Sequence, residues 1–198
     1  MKATDWKRTV RPLIPPDERW EFRGSLCYRA PASRFLFGVL GEGSGFDTGV
    51  YIWRVSMPLF VPSDAVVLSY SQRIGGGSKK YEAADYDELS SAIASGFRDL
   101  PTDDDELHRL VEIAAGSPNV RLLEAAVRSQ VLLGDGVGAL DMIRRATGAP
   151  TGSGWEREVI SRLDALAKTL DDKGLDDAVQ DIDAQVARTA TALGVIHG

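Results

Sequence analysis

The chain has 198 residues, 43% of them hydrophobic and 26% charged, with a formal net charge of −6. That is an ordinary globular balance, enough for one domain or for a domain with a substantial appendage. No apolar run reaches the roughly 20 residues of a membrane helix, the start MKATDWKR lacks the apolar core of a secretory signal, and the single cysteine, Cys27, excludes an internal disulfide or a multi-thiolate metal site. The expectation is a soluble cytoplasmic protein with no membrane partner and no cofactor.

The charge is divided unevenly. Residues 1–81 carry 12 Lys+Arg against 7 Asp+Glu, a balance of +5, whereas residues 82–198 carry 11 against 22, a balance of −11. An anionic partner would be drawn to the first half, or the two halves neutralise each other, which is the simpler reading.

In chain order, residues 4–14 (TDWKRTVRPLI) predict a short helix, with Trp6, Val10 and Leu13 at helical spacing and Pro12, Pro15 and Pro16 limiting it. WEFRGSLCYR alternates, placing Trp20, Phe22, Leu26 and Tyr28 on one side of a strand and Glu21, Arg23, Ser25, Cys27 and Arg29 on the other. RFLFGVLGE is apolar at both parities, as a strand covered on both faces would be. VYIWRVSMPLF is a third strand that ends, bulges or lies at an edge near Pro58, and AVVLSYSQ a fourth. Strands joined by turns in this way predict an antiparallel meander.

From about residue 84 the pattern becomes helical, with apolar sets Tyr86/Leu89/Ile93/Phe97, Leu107/Leu110/Val111/Ala114, Leu122/Leu123/Ala126/Val127, Ala139/Leu140/Ile143, Val159/Leu163/Leu166/Leu170 and Leu175/Val179/Ile182/Val186/Leu193. Asp85 with Glu88, and Thr102 with Asp105, have capping spacing, and Gly116, Gly134, Gly148 and Gly194 stand where helices should stop. The fold class expected is α+β: a four-stranded, mostly antiparallel sheet preceded by a short helix and followed by an α-helical C-terminal half. The expected organisation is a domain over 1–147 (sheet about 19–72, helices about 84–147), a linker GAPTGSG at 148–154, and a helical hairpin over 155–198 turning at Lys173-Gly174, which packs back or serves as a partner or homo-oligomer surface.

Two resemblances are carried by particular residues. LLEAAVRSQVLLGDGVGALDMIRRAT resembles one tetratricopeptide-like helical hairpin, and a single copy implies local hairpin packing instead of a peptide-binding solenoid. The helix ending in Pro12-Leu13, the aromatic and basic run Phe22-Arg23-Gly24 to Leu26-Cys27-Tyr28-Arg29, and the two extended strands after it resemble certain uncharacterised bacterial domains of unknown function whose hairpin reads roughly GFKKKGxxFYR. Here RWEFRGSLCYR replaces the lysine-rich run. The resemblance spans about the first 80 residues and implies a small α+β domain with no assigned catalytic residue.

The chemistry-bearing motifs are few. SQRIGGGSKKY, residues 71–81, fails as a phosphate-binding loop because its glycines are contiguous, Ser78 precedes the lysines and no helix follows at once. It reads as a basic strand exit, a solvated loop or a lid that orders over a ligand or an acidic partner. GEGSG at 41–45 reads as a turn, and GDGVG at 134–138 lacks dinucleotide spacing. His108 near Asp104 and Asp105 reads as a surface residue at a helix start, His197 as part of a frayed end, and Cys27 as a buried, unreactive thiol with no histidine nearby in sequence. No Gly-x-Ser-x-Gly elbow is present, so no catalytic or metal-binding residue is assigned.

Two readings of function follow. The first is a non-enzymatic interaction protein, of immunity or regulatory type, that meets an unknown protein partner through acidic residues such as Asp171, Asp172, Asp176 and Asp177. The second is a binder of small ligands or nucleotide phosphates using Arg23, Arg29, Arg54, Arg73, Lys79 and Lys80, since arginine matches phosphate and carboxylate with its planar fork. Nucleic acid is disfavoured by the acidic total charge and the lack of a stacking motif.

Overall fold

The computed structural model describes residues 3–43, 49–80, 86–98, 100–148 and 152–198, with backbone alone at residues 3 and 78–80. The order of elements is helix α1 (Ala3–Val10), strands β1 (Trp20–Arg23), β2 (Leu26–Arg29), β3 (Phe35–Gly43), β4 (Gly49–Pro58) and β5 (Gln72–Lys80), then helices α2 (Tyr86–Gly96), α3 (Asp103–Ala114), α4 (Val120–Leu132), α5 (Gly136–Thr147), α6 (Gly154–Asp172) and α7 (Leu175–Leu193). The architecture is α+β, as strand alternation followed by helical periodicity implied. The chain forms two compact units: one of residues 1–57, 63–100 and 190–198, the other of 58–62 and 101–189.

The sheet lies in the first unit and runs β1-β2-β3-β4-β5, with five strands where four were expected. Two local events account for the difference. WEFRGSLCYR is not one strand: Gly24 takes φ +58, a left-handed conformation open to glycine, and the chain folds back so that Phe22 faces Cys27 and Trp20 faces Arg29. Residues 65–71, expected to be extended, instead contain a short 3-10 turn at Leu68–Tyr70, and the last strand is the glycine-rich stretch itself, β5, antiparallel to β4.

The hairpin also reverses the expected faces. Directly opposed residues of an antiparallel pair project to the same side, so Trp20, Phe22, Cys27 and Arg29 share one face and Glu21, Arg23, Leu26 and Tyr28 the other. On the first face Cys27 lies opposite Val39, and Trp6 and Val10 of α1 and Leu89, Ile93 and Phe97 at α2 complete a core with Val50 and Ile52. Each large apolar side chain so buried contributes about 1.5–3 kcal/mol. Cys27 is part of this core, and burial pushes its thiol up to about 12, with Glu21 adding a smaller push in the same direction. It stays a protonated, inert thiol. Burial continues on both parities through Phe35, Leu36 and Phe37, in agreement with a strand covered on both sides.

Glycine explains β5. Gly76 and Gly77 have φ +82 and +107, and the pairing with β4 slips at Gly49/Tyr51 and again at Ile52/Trp53. A β-carbon on Gly75 would stand 2.6 Å from Cβ of Ala92, and one on Gly96 2.7 Å from Val39, so the bare positions let α2 lie close against the sheet. Contiguous glycines thus serve close approach and bulging instead of a flexible loop.

In the second unit most of the expected apolar positions are inside, while Val111, Leu122, Leu140, Leu170, Leu175, Val179 and Val186 are half-buried. Leu107, Leu110 and Ala114 of α3, Leu123, Ala126 and Val127 of α4, Ala139 and Ile143 of α5, Val159, Leu163 and Leu166 of α6 and Ile182 of α7 are all buried. α4 and α5 join through Gly134 at φ +85, and α6 and α7 through Gly174 at φ +92. α6 packs on both α4 and α5, so the helices on either side of residues 148–154 belong to the same unit. Residues 149–151, like Ser44 and Gly45 of the glycine-rich turn and the capping candidate Asp85, lie outside the described residues.

Among the described residues, α3 and α6 begin with reciprocal caps. At α3, Thr102 Oγ1 accepts from the Asp105 amide at 3.2 Å while the Asp105 carboxylate accepts from the Thr102 amide at 3.0 Å. At α6, Ser153 Oγ accepts from the Glu156 amide at 3.3 Å, and the Glu156 carboxylate accepts from the Ser153 and Gly152 amides at 2.7 and 2.8 Å. These bonds favour the ionised form. The Thr102 hydroxyl chiefly, then its amide, holds Asp105 below its ordinary value, and the Ser153 amide, then its hydroxyl, does the same for Glu156. A carboxyl depressed by folding stabilises the native state above its unfolded value, and that contribution disappears as the pH falls through the lower folded value. The deficit of Ser153→Ala relative to the parent should therefore be constant near neutrality and shrink below about pH 4. Paired thermal melts from pH 7 downward check this; a deficit that stays level into strong acid would contradict it.

Candidate binding sites

The structure divides the arginines offered as ligand-binding residues. Arg29 and Arg54 lie on the sheet face that α1 and α2 cover, and Arg23 and Arg73 on the opposite face. Each has a local setting. The Arg54 guanidinium donates at 2.7 Å to the carbonyl of Ser95, which also accepts from the Arg98 amide at 3.3 Å, in the last turn of α2, where the helix carries partial negative charge. Arg73 sits over the ring of Tyr51, 5.4 Å from its centre. The guanidinium of Arg23 lies against Gly194, just past the end of α7, so closely that a β-carbon at Gly194 would run into Nη1. Lys79 and Lys80 have their backbone in β5, and their side chains lie outside those described.

Arg29 differs from the other three. It closes β2 opposite Trp20, lies over the ring of Phe37 at 5.2 Å, and faces Glu18 at 3.5 Å, a separation at the outer limit of a hydrogen bond. It lines an open cleft of about 360 Å³ together with Pro15, Asp17, Glu18, Phe97 and Leu100. The cleft lies wholly in the first unit. Phe97, one of its lining residues, is edge-on to Trp20 with 4.6 Å between ring centres. Asp17, Glu18 and Leu100 carried no signal in the sequence, because the cleft exists only when the hairpin, the end of α2 and the segment before β1 converge.

Asp171, Asp172, Asp176 and Asp177 gather at one end of the α6–α7 hairpin, and all four are exposed. Asp176 and Asp177 occupy the first turn of α7, where a helix favours negative charge. Asp171 and Asp172 close α6, where it opposes negative charge. The turn between them is anchored by the Thr169 carbonyl, which accepts from the amides of Lys173 at 2.9 Å and Gly174 at 3.2 Å. Among the described residues none of these four carboxylates has an ion-pair partner.

His108 is exposed on α3, and among the described residues no group of three or more His, Cys, Asp and Glu side chains is placed to hold a metal ion. Among the same residues no helix is long and apolar enough to cross a membrane. The charge cluster that sequence reasoning missed is internal: Glu124 is fully buried between Arg128 and Arg162, and it ties α4 to α6. Comparison with protein-family models, with curated proteins and with solved structures finds no match to this chain.

Proposed function

We propose that this protein is a non-enzymatic interaction module, regulatory or immunity-like in type, whose α6–α7 turn receives a basic surface of a protein partner. The observation that carries the reading is the pair Asp171 and Asp172 at the C-terminal end of α6. Carboxylates there work against the helix dipole, and two more stand across the turn on Asp176 and Asp177. Such placement works against the α6 dipole, and among the described residues no ion pair offsets it, which is the pattern of a surface site kept for something else. A rigid turn presenting four carboxylates would attract lysines and arginines, speed encounter at low salt and lose most of that advantage above a few tenths molar salt.

The test compares the parent with the quadruple variant Asp171→Asn, Asp172→Asn, Asp176→Asn, Asp177→Asn, each tagged and purified gently from its own host for native mass spectrometry. The expected result is an added protein mass retained by the parent and reduced at least about tenfold in the variant, corresponding to about 1.4 kcal/mol. Equal retention by both proteins would remove the turn as the contact surface.

A further inference from the structure

The cleft at Arg29 belongs to the first unit, has no residue in common with the acidic turn, and needs no assumption about it. Its apolar floor is small, contributed by Pro15, Phe97 and Leu100, and its charged residues are Arg29, Asp17 and Glu18, with Arg29 facing Glu18 at 3.5 Å. A volume of about 360 Å³ falls at the small end of ligand sites, which run from about 300 to 1,000 Å³.

The charges select among ligands. A phosphate or other dianion gains Arg29 but meets two carboxylates. A simple amine gains the carboxylates but meets the guanidinium. A plain carboxylic acid leaves Asp17 and Glu18 facing its own charge. A molecule with an ammonium and a carboxylate on adjacent atoms, and an apolar side chain beyond them, satisfies all three groups and the floor together.

Arg29 is suited to the carboxylate half. A guanidinium has five donors in a planar fork that matches a carboxylate with two parallel bonds. Its place is set by β2 and by the Phe37 ring beneath it, while its contact with Glu18, at 3.5 Å, is loose. Nearly all of the donor capacity is therefore unspent, and the side chain is about one-third exposed, at 32%, so it is reachable from the cleft. Ordering it again on binding costs little rotamer freedom, which is the usual advantage of a pre-positioned group.

We propose that this cleft binds a small zwitterion of the α-amino acid type with an apolar side chain, its carboxylate on Arg29, its ammonium on Glu18 and Asp17, and its side chain against Phe97, Leu100 and Pro15.

The experiment titrates the full chain with L-phenylalanine and L-leucine by calorimetry. 2-Phenylethylamine, 3-phenylpropionate and inorganic phosphate serve as probes that each lack part of the pattern. The expected result is saturable binding of at least one amino acid with Kd near or below about 1 mM, with each of the three probes at least tenfold weaker. Arg29→Gln should weaken the amino acid at least tenfold. Because that variant also alters the packing on Phe37, Glu18→Gln, at an exposed position, is measured beside it and should weaken the amino acid severalfold while leaving the melting temperature of the free protein unchanged. Absence of saturable binding of both amino acids up to about 10 mM would overturn the proposal. So would 3-phenylpropionate or phosphate binding as well as the amino acids, or Glu18→Gln leaving amino acid affinity intact.

Discussion

Glu124→Gln is expected to remove about 3–5 kcal/mol from the stability of the protein, the scale for breaking a buried ion pair by deleting one partner. Glu124 is inaccessible to water, with side-chain exposure of 0%, and Arg128 beside it retains 9%. One carboxylate oxygen accepts from Arg128 Nη2 at 3.2 Å and from Arg162 Nε at 2.8 Å, and the other from Arg162 Nη2 at 2.7 Å. Burial pulls the Arg128 guanidinium below its ordinary value, and Glu124 is the main influence pulling it back, against Arg162 and Arg188. With the carboxylate gone, Arg128 stays charged and enclosed, and its Nε already has no partner among the described residues. Glutamine preserves the volume but supplies one neutral acceptor for two cations. Arg162→Gln should cost much less, because Arg162 is 32% exposed and its removal leaves Glu124 paired with Arg128. Urea unfolding of both variants measures the contrast. A loss below about 1 kcal/mol for Glu124→Gln would place the group in the weak class of surface pairs.

Gly76→Ala should be the second severe change, at about 2–5 kcal/mol. Gly76 sits at φ +82 in β5, where an L side chain costs about 1–2 kcal/mol. The added carbon would also strike the Val50 carbonyl of the neighbouring strand. Backbone cannot swing aside as a side chain would, so the strand pair must part, and forced overpacking of this kind adds about 1–3 kcal/mol. Gly24→Ala is the matched comparison. Gly24 has φ +58 but nothing within 4 Å of the added carbon, so it should lose only the conformational share. If the two alanine variants unfold at the same denaturant concentration, the close approach of β4 and β5 does not carry the effect.

These two positions show what pattern reading can and cannot reach. Glu124 and Arg128 read in sequence as an ordinary pair four residues apart on a helix. Their burial depends on Arg162, 38 residues further on. The three glycines of SQRIGGGSKKY suggested a loop, since glycine is free to adopt loop conformations. The same freedom serves a bulged strand when a helix and a neighbouring strand press close, and only those neighbours distinguish the two uses. Likewise RWEFRGSLCYR alternates at one parity throughout, but a reversal at Gly24 leaves the alternation within each half intact while exchanging the faces of the second half. That is why Arg23 and Arg29, two of the residues expected on one surface, stand on opposite sides of the sheet.

What the sequence determined by itself was set by short-range physics, although the local reversal at Gly24 and the 3-10 turn at Leu68–Tyr70 escaped it. The 3.6-residue spacing of apolar side chains specified six helices after the sheet, Thr102 with Asp105 specified a cap, and Gly134, Gly174 and Gly194 specified turns at left-handed backbone positions. The tertiary structure alone decided which residues meet across distance: the fifth strand, the enclosed Glu124 between two arginines, and the convergence of Pro15, Glu18, Arg29 and Phe97 on one cleft. Periodicity constrains a residue relative to neighbours within a turn or a strand. It leaves free the relative placement of segments, which is settled by the packing and electrostatics of the assembled chain.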